Sequence, residues 1–317
     1  MKMFLTGAGG MLGSAMVPAL IGAGHLVWAT DLVVDDDRPW GPAGPVLGPL
    51  DARSADQIAR AVDTIGPDMV LHLAAETDLE TCELDPVAAA DTNALATRVV
   101  AKACVSAGIP MTYISTAGVF DGSKRDPYVE DDPAYPANVY GQTKLDGEHY
   151  VRELLDEHYI IRAGWMVGGG RKDHKFVARI LKQLAAGAST IYAVGDKRGT
   201  PTYAPDFSRC FQSVLAGRHF GTFHMACEGE GTRLDVARRI LDVLGRDDVE
   251  LVEVGSEHFA EQFFAPRAAS EIMRNQRLDE LGLNTMRPWP VALEEYLLTH
   301  FTDLSRPGAL ASTISEA

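Results

Sequence analysis

A tyrosine and a lysine one helical turn apart have a direct chemical use in this sequence. Tyr140 and Lys144 have the i, i+4 spacing that puts two side chains on one face of a helix. Carbonyl reduction needs a proton donor for the developing alkoxide, and a free tyrosine with a pKa near about 10 is poorly matched to neutral pH. A neighbouring ammonium group stabilises the phenolate and lowers that pKa. The pair therefore predicts Tyr140 as a general acid that Lys144 assists.

A second hydroxyl group is expected close to this pair. The segment 111–115 is typical of a buried strand, and it ends in Ser115, which Thr116 follows. Parallel α/β sheets bind their ligands beyond the carboxyl ends of the strands. We therefore predict that Thr116 holds a substrate carbonyl oxygen beside Tyr140. The alternative is that the Thr116 hydroxyl only caps a turn.

A glycine-rich loop near the start of the chain has the spacing of a dinucleotide-binding site. It lies between a predicted strand at residues 2–6 and a predicted helix at residues 12–22. Glycines at this spacing allow a tight turn and a close approach to a pyrophosphate, and the helix N-terminus supplies amide donors and a positive dipole end. The predicted cofactor contacts in this loop are Gly7, Gly10, Met11, Leu12 and Gly13.

An acidic residue follows at the end of the second predicted strand. Asp31 is placed to accept hydrogen bonds from the hydroxyls of an adenosine ribose, and its charge would repel a 2′-phosphate. The sequence therefore favours NAD(H). Arg38 lies close enough along the chain to leave NADP(H) open, and the alternative for Asp31 itself is a solvated strand end.

Strands and helices alternate through the first half of the chain, which positions these residues. The patterns predict strands at 2–6, 25–31, 69–73, 111–115 and 158–162, and helices at 12–22, 54–66, 85–108 and 138–157. Repeated strand–helix–strand units predict an α/β fold, a Rossmann-type doubly wound parallel sheet. We expect an NAD(P)-binding domain at 1–164, a smaller substrate-binding domain at 165–303 with segments exchanged between the two, and a flexible tail at 304–317.

Composition restricts the partners. The 29 basic and 44 acidic residues give a net charge of −15, which argues against nucleic acid or an anionic membrane but leaves room for a local basic pocket that binds phosphate. The four cysteines form no CxxC pair and the nine histidines form no HExxH motif, so we predict no metal site and a reducing cytoplasmic location. No apolar run reaches the roughly 18 residues of a membrane span.

Several motifs together resemble the extended short-chain dehydrogenases/reductases. They are the glycine loop, Asp31, Leu73-Ala74-Ala75-Glu76-Thr77, Asn93, Ser115-Thr116 and Tyr140-x-x-x-Lys144. Within that superfamily the sequence resembles the dTDP-4-dehydrorhamnose reductase family at residues 119–122, 127–130, 136–148, 162–165 and 199–206. The resemblance runs from residue 1 to about residue 300, and the segments at 138–148 and 199–206 are specific to this branch.

The resemblance implies roles for individual residues. Tyr140 would donate the proton, Lys144 would lower its pKa and bind the nicotinamide ribose, and Thr116 would orient the substrate. The cofactor contacts it further implies are Asp51, Ala74, Ala75 and Asn93, and the substrate contacts are Thr77, Leu79 and Trp165.

One departure from the family concerns the sugar pocket. The family usually has Asp-Tyr directly after Ser-Thr, where this chain has Ala117-Gly118. The loss of a carboxylate and an aromatic ring predicts a roomier pocket with broader sugar tolerance or weaker binding. The alternative is that another segment, residues 40–49 or Phe263-Phe264, fills the gap.

The resemblance implies an activity. It is the NAD(P)H-dependent reduction of the 4-keto group of a nucleotide-activated deoxyhexose, with conversion of dTDP-4-dehydrorhamnose to dTDP-L-rhamnose favoured. Two alternatives stay open: an epimerase or dehydratase that retains NAD, and a non-catalytic regulatory subunit that binds NAD(P) or a partner enzyme. The predicted partner is a nucleotide-sugar substrate, and a homodimer is left open.

Overall fold

The computed structural model describes residues 1–33, 49–170 and 173–305. Arg38, and the 40–49 loop except for its last residue, lie outside the described residues. So does the predicted tail beyond residue 305.

The central sheet is parallel and has six strands. The strands of the described residues are β1 (Lys2–Thr6), β2 (Leu26–Thr30), β3 (Met69–His72), β4 (Met111–Thr116), β5 (His158–Ala163), β6 (Trp165–Val167), β7 (Thr190–Val194), β8 (Arg198–Gly199), β9 (Pro201–Tyr203), β10 (Gly221–Met225), β11 (Gly231–Thr232), β12 (Glu250–Val254) and β13 (Ser270–Glu271). The sheet order is β10-β5-β4-β3-β1-β2, and every neighbouring pair is parallel. The predicted α/β class with a parallel sheet is confirmed.

Helices connect the strands and cover the sheet. They are α1 (Met11–Gly22), α2 (Ala55–Ile65), α3 (Leu79–Leu84), α4 (Pro86–Ala90), α5 (Ala96–Ala107), α6 (Val139–Leu154), α7 (Phe176–Ala185), α8 (Ala204–Ala216), α9 (Arg233–Leu244), α10 (Gln276–Leu281) and α11 (Trp289–His300). Local signals set several boundaries. The Ser54 hydroxyl accepts a hydrogen bond from the Gln57 N–H at the start of α2, and Gly66 ends that helix in the left-handed conformation.

One predicted helix differs from the structure in its interior. The helix expected at 85–108 consists of α4, a π-helical turn at Asp91–Leu95, and α5. A π turn inserts one residue into the α-helical repeat and frequently marks a functional position. The apolar pattern does not reveal it, since the α-helical period resumes on both sides.

The two faces of the sheet bury different side chains. In β1, Met3 and Leu5 pack in one apolar cluster with residues of α1 and α8, whereas Phe4 packs in another with residues of α2 and α5. Successive side chains of a strand point to opposite faces, so a short apolar strand can contribute to two cores. This arrangement keeps the carboxyl ends of the strands open at one edge of the sheet.

The second half of the chain contributes to more than one sheet. Its strand β10 pairs with β5 at the edge of the central sheet. Three short strands, β11, β8 and β13, form a separate small sheet, while β12 pairs with β7 and β6 with β9. The division at residue 164 stays a prediction, and β10 is a segment of the kind expected to be exchanged.

The cysteines do not form disulfides. Cys82, Cys104, Cys210 and Cys227 are free and buried. In the part of the chain that the structure describes, no helix is long and apolar enough to cross a membrane. The same residues contain no group of three or more His, Cys, Asp or Glu side chains placed to hold a metal ion.

Candidate active site

The sheet order creates a crevice at the carboxyl ends of its middle strands. β1 lies between β2 and β3, so the connections that leave β1 and β3 run to opposite sides. Such a switch point is where open α/β sheets bind ligands. The glycine loop follows β1, residues 73–78 follow β3, and Thr116 ends β4. The topology therefore brings together the segments that the sequence singled out.

The glycine loop has the geometry of a phosphate cradle. Gly7 has a φ of +75°, and a Cβ atom there would overlap the backbone of Ala74. A Cβ atom at Gly13 would overlap Ala8. Gly10 is the N-cap of α1, and no side chain caps this helix. Because the first amides of a helix lack internal acceptors, the uncapped N-terminus fits the pyrophosphate of a dinucleotide.

Two acidic residues that are predicted to contact the ribose and the adenine, Asp31 and Asp51, lie near each other beside the glycine loop. Asp31 Oδ2 accepts a hydrogen bond from the Gly9 N–H at 2.7 Å, which ties the carboxylate to the glycine loop. The Leu50 N–H donates to the Asp31 carbonyl, so Asp51 is nearby. Hydrogen bonds from Arg53 lower the pKa of the Asp51 carboxyl group. The adenine contact of Asp51 stays a prediction, since Arg53 engages its carboxylate here.

Helix α6 holds the tyrosine and lysine against the end of β4. Its N-cap is Asn138, whose Oδ1 accepts from the Gly141 N–H at 2.8 Å. A Cβ atom at position 141 would overlap the carbonyl oxygen of Gly118, so only glycine lets α6 pack this closely against the turn that follows Thr116. This packing brings Tyr140 next to the Thr116 hydroxyl.

A buried ion pair fixes the same helix further along. Glu148 Oε1 accepts from the Ser115 hydroxyl at 2.5 Å and from Arg162 Nε at 2.9 Å, and its Oε2 accepts from Arg162 Nη2 at 2.8 Å. Burial by itself would raise the pKa of Glu148, but the hydrogen bonds and charge of Arg162, together with Arg152 and Ser115, bring it down to about 2. The interaction anchors α6 to β4 and β5.

Glu148 is a site residue that the sequence analysis did not single out. It stands one helical turn beyond Lys144 on the face that already carries Tyr140. The sequence signal that could have identified Glu148 is its spacing, because Tyr140, Lys144 and Glu148 are ionisable residues at i, i+4 and i+8 on one helix face.

The titration of the tyrosine and lysine differs from the expectation. Burial raises the pKa of Tyr140, and the Thr116 hydroxyl beside it acts in the opposite direction. The expected lowering of this pKa is wrong for this structure because desolvation disfavours the phenolate. Burial also lowers the pKa of Lys144 to about 7, with Glu148 opposing. Tyr140 therefore keeps its proton at neutral pH, which is the form that a proton donor needs.

Thr116 combines the two roles that the sequence left open. Its Oγ1 accepts a hydrogen bond from the Gly118 N–H at 3.0 Å and so caps the turn at Ala117–Val119. A threonine hydroxyl that accepts a hydrogen bond still has its own proton to donate. Capping the turn thus leaves Thr116 able to donate to a substrate oxygen next to Tyr140.

Asn93 connects two segments of the site. It lies in the π turn, and its Nδ2 donates to the Glu76 carbonyl and to Thr143 Oγ1, both at 3.0 Å. Its Oδ1 accepts from the Glu76 N–H at 2.8 Å. The side-chain amide is thus fully engaged between the segment after β3 and α6. A direct cofactor contact of Asn93 stays a prediction, and the structure gives it a positioning role.

Two residues expected to contact substrate, Thr77 and Trp165, lie in contact with groups from the second half of the chain. Lys175 Nζ donates to Thr77 Oγ1 at 2.9 Å and to the Thr77 carbonyl at 3.0 Å, and Leu79 is the first residue of α3. Trp165, in β6, donates from Nε1 to Glu271 Oε2 at 2.6 Å. The Arg233 guanidinium carbon lies 3.7 Å from the centre of the Trp165 ring.

Four basic side chains lie on this side of the site although the whole chain is acidic. We call Lys175, Arg179, Arg233 and Arg267 the basic cluster. Arg179 lies 4.6 Å from the centre of the Phe263 ring, and Arg267 pairs with Glu80 at 2.7 Å. Within the described ranges, neither Arg179 nor Arg233 forms an ion pair with a carboxylate. The acidic net charge left room for a local basic pocket, but the sequence did not identify these residues.

The fold and the site define the class of protein. A doubly wound parallel sheet with a glycine loop at its switch point, a Tyr-x-x-x-Lys helix and a hydroxyl at the end of β4 are the features of an extended short-chain dehydrogenase/reductase, an NAD(P)-dependent oxidoreductase. The chain matches the RmlD substrate binding domain family over residues 1–301 and belongs to that family.

Relatives match this chain over nearly its whole length. The dTDP-4-dehydrorhamnose reductase of Mycolicibacterium smegmatis is 32% identical over 296 residues, which cover 93% of this chain and 84% of that protein. A crystal structure of a dTDP-4-dehydrorhamnose reductase from Clostridium acetobutylicum has a TM-score of 0.84 and 31% identity, and covers 94% of this chain and 98% of that one. The structure of the dTDP-4-dehydrorhamnose reductase from Bacillus anthracis in complex with NADP also has a TM-score of 0.84 and is 26% identical. The match covers 94% of this chain and 99% of that one.

Proposed function

We propose that this protein reduces the 4-keto group of dTDP-4-dehydrorhamnose to give dTDP-L-rhamnose, with NAD(P)H as the reductant. The observation that carries the proposal is the placement of Tyr140 beside the Thr116 hydroxyl at the end of β4, in a chain of this family. The relatives named for this reductase activity cover nearly the whole chain, which supports the same substrate class.

Three residues of the chain share the work of the reduction: Thr116, Tyr140 and Lys144. The bound nicotinamide cofactor supplies the hydride that goes to the sugar carbon. Thr116 donates a hydrogen bond to the carbonyl oxygen and orients it. Tyr140 gives its proton to that oxygen as the carbonyl π bond breaks. Lys144, whose pKa of about 7 lets it exchange a proton at working pH, restores the proton of Tyr140 and binds the nicotinamide ribose.

The basic cluster is assigned to the diphosphate of the nucleotide-sugar. Arginine binds phosphate oxygens through a planar fork of donors, and aromatic rings preorganise that fork when the guanidinium lies flat on them. Arg233 on Trp165 and Arg179 on Phe263 are held in this way and have no carboxylate partner among the described residues. Thr77, Leu79 and Trp165 are assigned to the pocket wall.

The experiment that tests the function is a substrate panel. We expect NAD(P)H oxidation, followed at the nicotinamide absorbance, with dTDP-4-keto-6-deoxy sugars and highest with dTDP-4-dehydrorhamnose. Activity only with GDP- or UDP-sugars would contradict the nucleotide assignment. NAD that stays bound through dialysis, without net NAD(P)H oxidation on any sugar of the panel, would instead identify an epimerase or dehydratase.

The cofactor preference is expected to depend on Asp31. Asparagine at this position keeps an acceptor for the Gly9 N–H but removes the charge that repels a 2′-phosphate. Because hydrogen bonds to charged groups contribute about 1.5–3 kcal/mol, Asp31→Asn should narrow the preference for NADH over NADPH by at least about tenfold. Fluorescence titration of both cofactors measures it.

The alanine variant is the comparison for this prediction. Asp31→Ala also removes the acceptor for the glycine loop, so it should narrow the preference and weaken the binding of both cofactors. Equal affinity of the unchanged protein for NADH and NADPH would contradict the role of Asp31.

A further inference from the structure

A carboxylate from the small three-stranded sheet faces the space beside Thr116. Glu271 is the last residue of β13 and is partly exposed. One oxygen, Oε2, is held by the Trp165 indole N–H at 2.6 Å. The other, Oε1, has no hydrogen-bond donor within the described residues. One half of this carboxylate is thus fixed and the other half is available.

The free oxygen lies at the wall left bare by Ala117-Gly118. A Cβ atom built on Gly118 would be 3.7 Å from Glu271 Oε1 and 3.4 Å from Thr116 Oγ1. The two oxygens therefore border the same small space. Glu271 is also among the charges that act on the Tyr140 phenol. Glu271 therefore borders the space next to the reacting groups.

The surroundings of Glu271 indicate more than support for Trp165. A neutral acceptor would satisfy the single indole N–H, whereas a carboxylate brings a second oxygen and a charge. Arg233, which stacks on the Trp165 ring, interacts with the charge of Glu271 but forms no ion pair with it. The Oε1 oxygen of Glu271 thus keeps a hydrogen-bonding position open next to a site that contains hydroxyl groups.

We propose that Glu271 is a specificity-determining residue that accepts a hydrogen bond from the sugar hydroxyl on the carbon next to the reacting carbonyl. The inference rests on the proposed function. Thr116 holds the carbonyl oxygen, and the vicinal hydroxyl then faces Oε1 across the same small space. The site would select sugars with a hydroxyl at this carbon over their deoxy counterparts.

The test measures whether the preference for a sugar with a 3-hydroxyl depends on the carboxylate of Glu271. kcat/KM is measured for a dTDP-4-keto-6-deoxyhexose with a 3-hydroxyl and for its 3-deoxy counterpart, with the unchanged protein and with Glu271→Gln. Glutamine keeps the shape and an acceptor for the Trp165 N–H but loses the charge. We expect the unchanged protein to favour the hydroxyl-bearing sugar by about tenfold to 100-fold, and the variant to lose most of that preference.

Controls separate the outcomes. Glu250→Gln changes an exposed carboxylate of β12 and should keep the full preference, and NADH titration reports whether each variant retains its cofactor site. An unchanged preference in Glu271→Gln would overturn the proposal and leave Glu271 as a support for Trp165. If the unchanged protein turns over neither this pair nor any other 4-keto sugar nucleotide, the proposed function fails and the inference fails with it.

Discussion

We expect replacement of Tyr140 by phenylalanine to lower turnover by about 10²–10⁴ and to leave the affinity for the cofactor unchanged. The variant loses only the hydroxyl that carries the donated proton. Burial keeps this phenol protonated at neutral pH in the unchanged protein, so the variant lacks a proton donor that is otherwise always loaded. Steady-state NAD(P)H oxidation gives the turnover, and fluorescence titration gives the cofactor affinity.

Lys144→Met is the informative comparison for this result. It should lower turnover and also weaken cofactor binding, since Lys144 is assigned to the nicotinamide ribose as well as to proton supply. The two variants therefore differ in cofactor affinity although both lose activity. A Tyr140→Phe variant with nearly normal turnover would mean that another group donates the proton.

We expect removal of the Glu148 carboxylate to lower the free energy of unfolding by about 3–5 kcal/mol, the usual effect of removing one partner of a buried ion pair. Glu148→Ala leaves the buried guanidinium of Arg162 without its partner and the Ser115 hydroxyl without its acceptor. The same change frees α6 from β4 and β5, so activity should fall with stability. Guanidinium denaturation followed by circular dichroism measures the change.

A surface ion pair provides the matched control. Glu157 pairs with Arg218 at 3.3 Å with both side chains more than half exposed, so Glu157→Ala should change the free energy of unfolding by less than about 1 kcal/mol. Equal losses in the two alanine variants would contradict the anchoring role.

The low pKa of Glu148 also predicts that stability depends on pH. The stabilising contribution of Glu148 is present above its unfolded-state pKa of about 4.3 and is lost as the pH falls towards 2.

The sequence by itself determined the elements and their local chemistry. Helix α2 lies within the predicted segment 54–66, because the Ser54 cap, an amphipathic repeat and a left-handed Gly66 are all local signals. The glycine loop after β1 and the Tyr140–Lys144 spacing were likewise readable, since a loop's glycines and one helical turn involve only a few neighbouring residues.

Only the tertiary structure decided which distant groups complete the site. Glu271, Arg233 and Lys175 come from the second half of the chain, and no local pattern relates them to Thr116, Trp165 or Thr77. The π turn that carries Asn93 was hidden for a related reason, because one inserted residue barely disturbs an apolar repeat.

The pKa of Tyr140 was also decided by the tertiary structure. A tyrosine and a lysine one turn apart predict a lowered phenol pKa, yet burial raises it. Spacing along a helix shows which groups are neighbours. The cost of removing a charge from water depends on every element packed around it, and those elements come together only when the chain folds.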